Sequence, residues 1–123
     1  MFEIAVEGHF DAAHYLRGYQ GKCEALHGHR YRVMVKLAVV SLNEIGLAYD
    51  FTRLKAELGD ILKQFDHVLL NDVPPFDRLN PSAENIAVAI YQELKPVLGT
   101  ASVSLKKVEV WESPDSSASY IPD

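Results

Sequence analysis

The strongest restriction on the fold is an unbroken alternation from Arg30 to Val40, in which Tyr31, Val33, Val35, Leu37 and Val39 share one face and Arg30, Arg32 and Lys36 the other. A period of two fits a β-strand with one buried face, and a helix would scatter the same apolar residues around its circumference. Phe2, Ile4 and Val6 alternate in the same way with Glu3, Ala5 and Glu7, which predicts an earlier strand. Two half-buried strands need a cover for the apolar face, and two helical patterns follow. Phe51, Leu54, Leu58, Ile61, Leu62 and Phe65 recur at spacings of three and four behind Asp50, an N-cap residue, and this helix is predicted to end before Asp66-His67. A second helix is predicted from an Asn80 cap with Pro81 at its first position and Glu84 in its first turn; Ile86, Ala89, Ile90 and Leu94 form its buried side. Lys95-Pro96 weakens its end and Gly99 terminates it.

Val103 and Leu105, then Val108 and Val110, predict a third strand whose apolar phase shifts at Lys106-Lys107, as a β-bulge would make it do. A short last strand is predicted around Ser119 to Ile121. The order gives an α+β fold, a four-stranded antiparallel sheet with two helices on one face, and no repeat or linker divides residues 1–123 into more than one domain. Such a sheet has open edges, and assembly with further copies into a closed sheet is one way to pair them. With 12 Lys+Arg against 17 Asp+Glu, a formal charge of -5 and scattered basic residues, the chain is expected to bind a small molecule and no nucleic acid. No apolar run approaches the ~20 residues of a membrane helix. The start lacks a secretory pattern and Cys23 is the one cysteine, so a cytoplasmic location is expected.

Four of the 5 histidines, His9, His14, His27 and His29, lie close to the N-terminus. His27 and His29 share the parity of Tyr31 and Val33, so both imidazoles face inward and can reach one metal ion, and His14 can return to them if the two strands pair. A hydrogen-bonded histidine pair would explain His-x-His alone; the third imidazole favours zinc with an open position, held by His14, His27 and His29. His9 lies on the opposite face and is left out. At 123 residues the fold needs no structural metal, so a metal here would be functional. Cys23 is then a fourth ligand, a buried inert thiol, which its place between Lys22 and Glu24 disfavours, or, beside a cation, a thiol with a lowered pKa able to act as a base or nucleophile. Asp66-His67 is either a helix-end histidine or an oriented proton-transfer pair. Glu112 shares the parity of Val108 and Val110; an inward carboxylate needs a salt bridge or a guanidine-like ligand edge, from which it can accept two parallel hydrogen bonds.

The motifs Phe10-x-Ala12-Ala13-His14, Cys23-x-x-x-His27-Gly28-His29, Asp66-His67, Pro81-Ser82-Ala83-Glu84-Asn85 and Trp111-Glu112-Ser113-Pro114, in that order and nearly end to end, resemble the 6-pyruvoyl-tetrahydropterin synthase superfamily. The three-residue gap between Cys23 and His27 resembles its 6-carboxy-tetrahydropterin synthase branch, of queuosine and 7-deazaguanine biosynthesis. The resemblance implies a tunnelling fold in which trimers close their sheets into a barrel and stack as hexamers, with sites between subunits. It implies zinc on His14, His27 and His29, proton transfer by Cys23 with His67 and Asp66, and a pterin ring anchored by Glu112. The implied reaction converts 7,8-dihydroneopterin triphosphate to 6-carboxy-5,6,7,8-tetrahydropterin, acetaldehyde and triphosphate without a redox cofactor. Ser82-Ala83 departs from the threonines common in relatives, which leaves a hydroxyl contact at Ala83 open, and Glu84 is equally explained as a helix-start residue. The alternatives are the pyruvoyl reaction, a Cys-His-Asp hydrolase that needs no zinc, and a non-enzymatic zinc-dependent pterin-binding module.

Overall fold

A computed structural model describes residues 1–20, 25–99 and 102–123. The two alternating segments form the long strands β1 (Phe2–His14) and β2 (His27–Val39), paired antiparallel from Phe2↔Val39 to His14↔His27. Helix α1 (Phe51–Leu62) follows and tightens into a 3-10 turn at Lys63–Phe65; then come a two-residue strand β3 (Val68–Leu69), helix α2 (Ala83–Leu98), and strands β4 (Val103–Ser113) and β5 (Ser116–Tyr120). The sheet order is β3-β1-β2-β4-β5. It therefore has five strands and is mixed, because β3 runs parallel to β1 through Ala12↔Val68 and Ala13↔Leu69. Two residues are too few to leave a periodic trace, so β3 had no signal in the sequence.

Each helix starts where a side chain satisfies an otherwise unpaired N–H. Asp50 Oδ1 accepts from Thr52 N at 2.9 Å, as expected. The cap of α2 is Ser82, whose Oγ accepts from Asn85 N at 3.2 Å, so the expected cap Asn80 and first-position Pro81 lie just before the helix, outside it. Both are good capping types; Asn80 is taken up elsewhere, as shown below. Helix α2 runs through Pro96 and ends at Gly99, whose φ of 53° lies in the left-handed region. A proline this close to the end removes one hydrogen bond without disrupting the preceding turns.

The apolar stripes of α1 and α2 cover the inner sheet face, where Phe10 and Tyr31 stack at 4.7 Å across β1 and β2. Gly8 permits this approach: a Cβ there would stand 2.9 Å from Leu62 Cδ1 and 3.3 Å from Leu58 Cδ2. On β4 the pairing steps from Lys36↔Lys107 to Leu37↔Leu105, so Lys106 is the extra residue of the expected bulge. It keeps Leu105, Val108 and Val110 all buried. The outer face is charged, with cross-strand pairs Arg30–Asp11, Arg32–Glu7 and Lys36–Glu3. No helix among the described residues is long and apolar enough to cross a membrane.

Candidate metal centre and proton-transfer pair

Register decides which side chains meet. His14, on the inner face at the end of β1, pairs with His27 at the start of β2, and His29 is on the same face two residues on. The three rings pack edge-on, with centroids 4.6 Å apart for His14–His27 and His27–His29 and 5.1 Å for His14–His29. The end of β4 brings Glu112 to them: its Oε1 lies 3.0 Å from His14 Nε2 and 3.3 Å from His29 Nε2. One ligand atom from each of the four lies within 4.8 Å of the others.

The hydrogen bonds on the far side of two rings fix their tautomers. His14 Nδ1 lies 2.7 Å from the Pro81 carbonyl, and His27 Nδ1 lies 2.7 Å from the Ala25 carbonyl. A carbonyl only accepts, so both Nδ1 atoms carry a proton, and in the neutral ring each Nε2 then presents a lone pair. Those Nε2 atoms are 3.0 Å apart, and that of His14 faces a carboxylate oxygen. His29 Nε2 is buried and makes no hydrogen bond among the described residues. Convergent lone pairs repel unless something positive lies among them; a single proton serves one pair, whereas a divalent cation serves all four atoms. Imidazoles oriented by carbonyls on the opposite nitrogen are what metal ligands require. Burial lowers the pKa of His14, against the Pro81 carbonyl and Glu112, and also that of His29, against Glu112, which favours the neutral ligand form of both. The four residues can hold a metal ion.

The second group lies across β1. Asp66 Oδ1 accepts from Asp11 N at 2.9 Å and lies 3.0 Å from His67 Nδ1, and His67 N donates to the Asp11 carbonyl at 2.6 Å. Two backbone bonds to one residue thus fix the Asp66–His67 pair against β1. His67 has a φ of 58°, the left-handed region, and its side chain is 78% exposed. Asp66 has a lowered pKa, chiefly from the Asp11 N–H and then from His67. Asp11 is in turn held low by Arg30, whose Nε and Nη2 reach its two oxygens at 3.0 and 3.2 Å.

The structure therefore brings His14, His27, His29 and Glu112 into one cluster and Asp66 and His67 into another, with Asp11 as a member that the sequence did not single out. Its only trace was its place inside the Phe10-x-Ala12 motif. His9 is exposed on the outer face and belongs to neither cluster. Cys23 lies outside the described residues. His29 and His67 line one open depression of about 450 Å³ over Ala12 and Ala13. On the other side of β2, where it diverges from β4, His29, Trp111 and Glu112 line a cavity of about 430 Å³.

A family model described as 6-pyruvoyl tetrahydropterin synthase matches residues 3–123. The chain belongs to that family. Among its relatives, the 6-carboxy-5,6,7,8-tetrahydropterin synthase of Synechocystis sp. is 38% identical, with 98% of this chain and 93% of that protein covered. The protein of the same description from Bacillus subtilis is 34% identical over 98% of this chain and 86% of its own length. A solved structure of Caenorhabditis elegans 6-pyruvoyl tetrahydropterin synthase superposes with a TM-score of 0.87 at 30% identity, covering 99% of this chain and 96% of that one. The resemblance drawn from the motifs holds, and the chain is a member of an enzyme family whose fold is its own.

Proposed function

We propose that this protein is a 6-carboxy-5,6,7,8-tetrahydropterin synthase, acting in the cytoplasm on 7,8-dihydroneopterin triphosphate in queuosine or 7-deazaguanine biosynthesis. The observation that carries this reading is the convergence of His14 Nε2, His27 Nε2, His29 Nε2 and Glu112 Oε1, with His29 bordering both the cavity beside Trp111 and the depression that His67 lines. Zinc is the metal this set of imidazoles suits; His14, His27 and His29 would hold it, and it would supply a Lewis acid beside the substrate side chain.

The residues of the chain divide the remaining work. Glu112 anchors the pterin: Oε1 faces the imidazoles, which leaves Oε2 for the amino and N–H edge of the ring. Trp111 walls the same cavity, whose volume of about 430 Å³ suits a bicyclic ring with a short side chain. Cys23, as thiolate, removes the carbon-bound proton. His67 supplies or relays protons, and Asp66 holds its Nδ1–H, so that Nε2 is the atom that exchanges them. Among the described residues, the short β3 leaves most of the β1 edge without a partner. Pairing of that edge with another copy supports a homo-oligomer, a trimer or hexamer of closed sheets with sites between subunits.

Two observations favour the carboxy branch, the Cys23-to-His27 spacing and the descriptions of the Synechocystis and Bacillus relatives. The Caenorhabditis structure favours the pyruvoyl reaction instead, in which the side-chain carbon bond is kept. Anaerobic incubation with 7,8-dihydroneopterin triphosphate separates the two: equal acetaldehyde and triphosphate are expected, and triphosphate with a pyruvoyl product and no acetaldehyde would establish the second.

A further inference from the structure

Just beyond β1, the chain is held by side chains that imitate a neighbouring strand. Asn71 accepts from Tyr15 N through Oδ1 at 3.0 Å and donates to the Tyr15 carbonyl through Nδ2 at 3.0 Å. Asn80 repeats this two residues on, accepting from Arg17 N and donating to the Arg17 carbonyl, both at 2.9 Å. Each carboxamide thus replaces one residue of a β-ladder, giving donor and acceptor together. Arg17 returns the contact with its guanidinium, donating to the carbonyls of Phe76 at 2.9 Å, Leu79 at 3.2 Å and Asn71 at 3.4 Å. Asn71 is buried, so removal of its partners would leave a desolvated amide.

This lock joins the two pieces of chain that meet at the metal centre. His14 precedes Tyr15, and Pro81, whose carbonyl faces His14 Nδ1, follows Asn80. Pro81 is fixed from both sides, since the Asn80 carbonyl accepts from Asn85 Nδ2 at 2.8 Å and Ser82 caps α2. We propose that Asn80, with Asn71 and Arg17, is a positioning residue that holds the Pro81 carbonyl on His14 Nδ1 and so keeps His14 Nε2 bare and directed at the metal. The proposal rests on the metal-centre reading above. None of the three touches the ligand atoms; they act through a main-chain carbonyl 2.7 Å from an imidazole.

Its test uses the metal-free protein first. Long-range ¹H–¹⁵N spectra of the full chain are expected to show His14 as the Nδ1–H tautomer alone, and Asn80→Ala to show a mixture. The zinc dissociation constant of Asn80→Ala, from competition with a chelator, is expected to rise about 10–100-fold, the usual loss when an orienting partner of a ligand is removed. Ile90→Val, a core substitution in α2 away from the lock, controls for general loosening and is expected to keep both the tautomer and the affinity. Arg17→Lys, which cannot span three carbonyls, is expected to shift both readouts in the same direction by less, and replaces Asn80→Ala should that variant not fold. An unchanged tautomer and zinc affinity in the folded variant, or an equal change in Ile90→Val, would overturn the proposal. Absence of zinc binding and of pterin turnover in the unaltered protein would instead overturn the functional reading, and the tautomer measurement stands apart from it.

Discussion

The two titratable clusters lie on either side of β1 and differ in every property that decides what an imidazole can do. His14 is fully buried, its Nδ1 is held by a main-chain carbonyl, and its Nε2 meets other lone-pair atoms. His67 is 78% exposed, its Nδ1 is held by the Asp66 carboxylate, and it lines an open depression. A carbonyl partner and burial make a neutral imidazole with one aimed lone pair, the form a metal binds. A carboxylate partner beside solvent orients one ring nitrogen and leaves the other open to a solute, the arrangement the proposed proton relay needs. The difference comes from the pleat: His14 and Asp11 occupy opposite parities of one strand, so one faces the core and the other the charged outer face.

Removing a ligand tests the contrast most severely. His29→Ala is expected to lose stoichiometric zinc, with affinity falling by more than the ~100-fold that loss of an orienting partner costs, as read by elemental analysis after dialysis. His67→Gln should keep its zinc, and a metal-depleted His67→Gln would erase the distinction between the clusters. Next in size, Cys23→Ala is expected to keep zinc and fold while turnover falls on the order of 10²–10⁴-fold, the range for a positioned acid or base. Loss of metal and of the thermal transition together would make Cys23 a ligand. Glu112→Gln sharpens the same line: weaker binding of a non-reacting pterin analogue, by about tenfold or more, is expected with zinc content unchanged, because an amide sets a donor against the donors of the ring edge. Zinc lost with Glu112→Gln would assign that carboxylate to the metal instead.

The smallest effect concerns acid stability. The pKa of Asp66 is lowered in the folded state, so its bonds stabilise the fold above the ordinary carboxylate pKa and are lost as pH falls through the folded value. Asp66→Asn is expected to flatten the acid limb of thermal stability below about pH 4 and to leave the neutral plateau nearly unmoved, since the side chain is 41% exposed and solvent screens the pair. An acid limb identical to that of the unaltered protein would show that the two bonds to the Asp11 backbone, and not the charge, hold the pair in place.

Much of this was legible residue by residue. Alternation over Tyr31 to Val39 determined β2 and its buried face, spacings of three and four determined α1, and the broken phase at Lys106 determined the bulge, because each is a signal contained within one element. That His27 and His29 meet was legible too, since two histidines of one parity on a strand must share a face whatever that strand pairs with. The exact pairing was not. That Glu112 Oε1 stands 3.0 Å from His14 Nε2 depends on β2 lying between β1 and β4 in one particular register. That Asp11 holds Asp66 depends on a parallel contact only two residues long. Asn80 was equally suited to cap a helix or to clamp Arg17, and packing gave the cap to Ser82. Local periodicity fixes which face a residue takes, because the backbone repeat imposes it; which partner waits on that face is fixed by long-range register, and only the folded chain sets that.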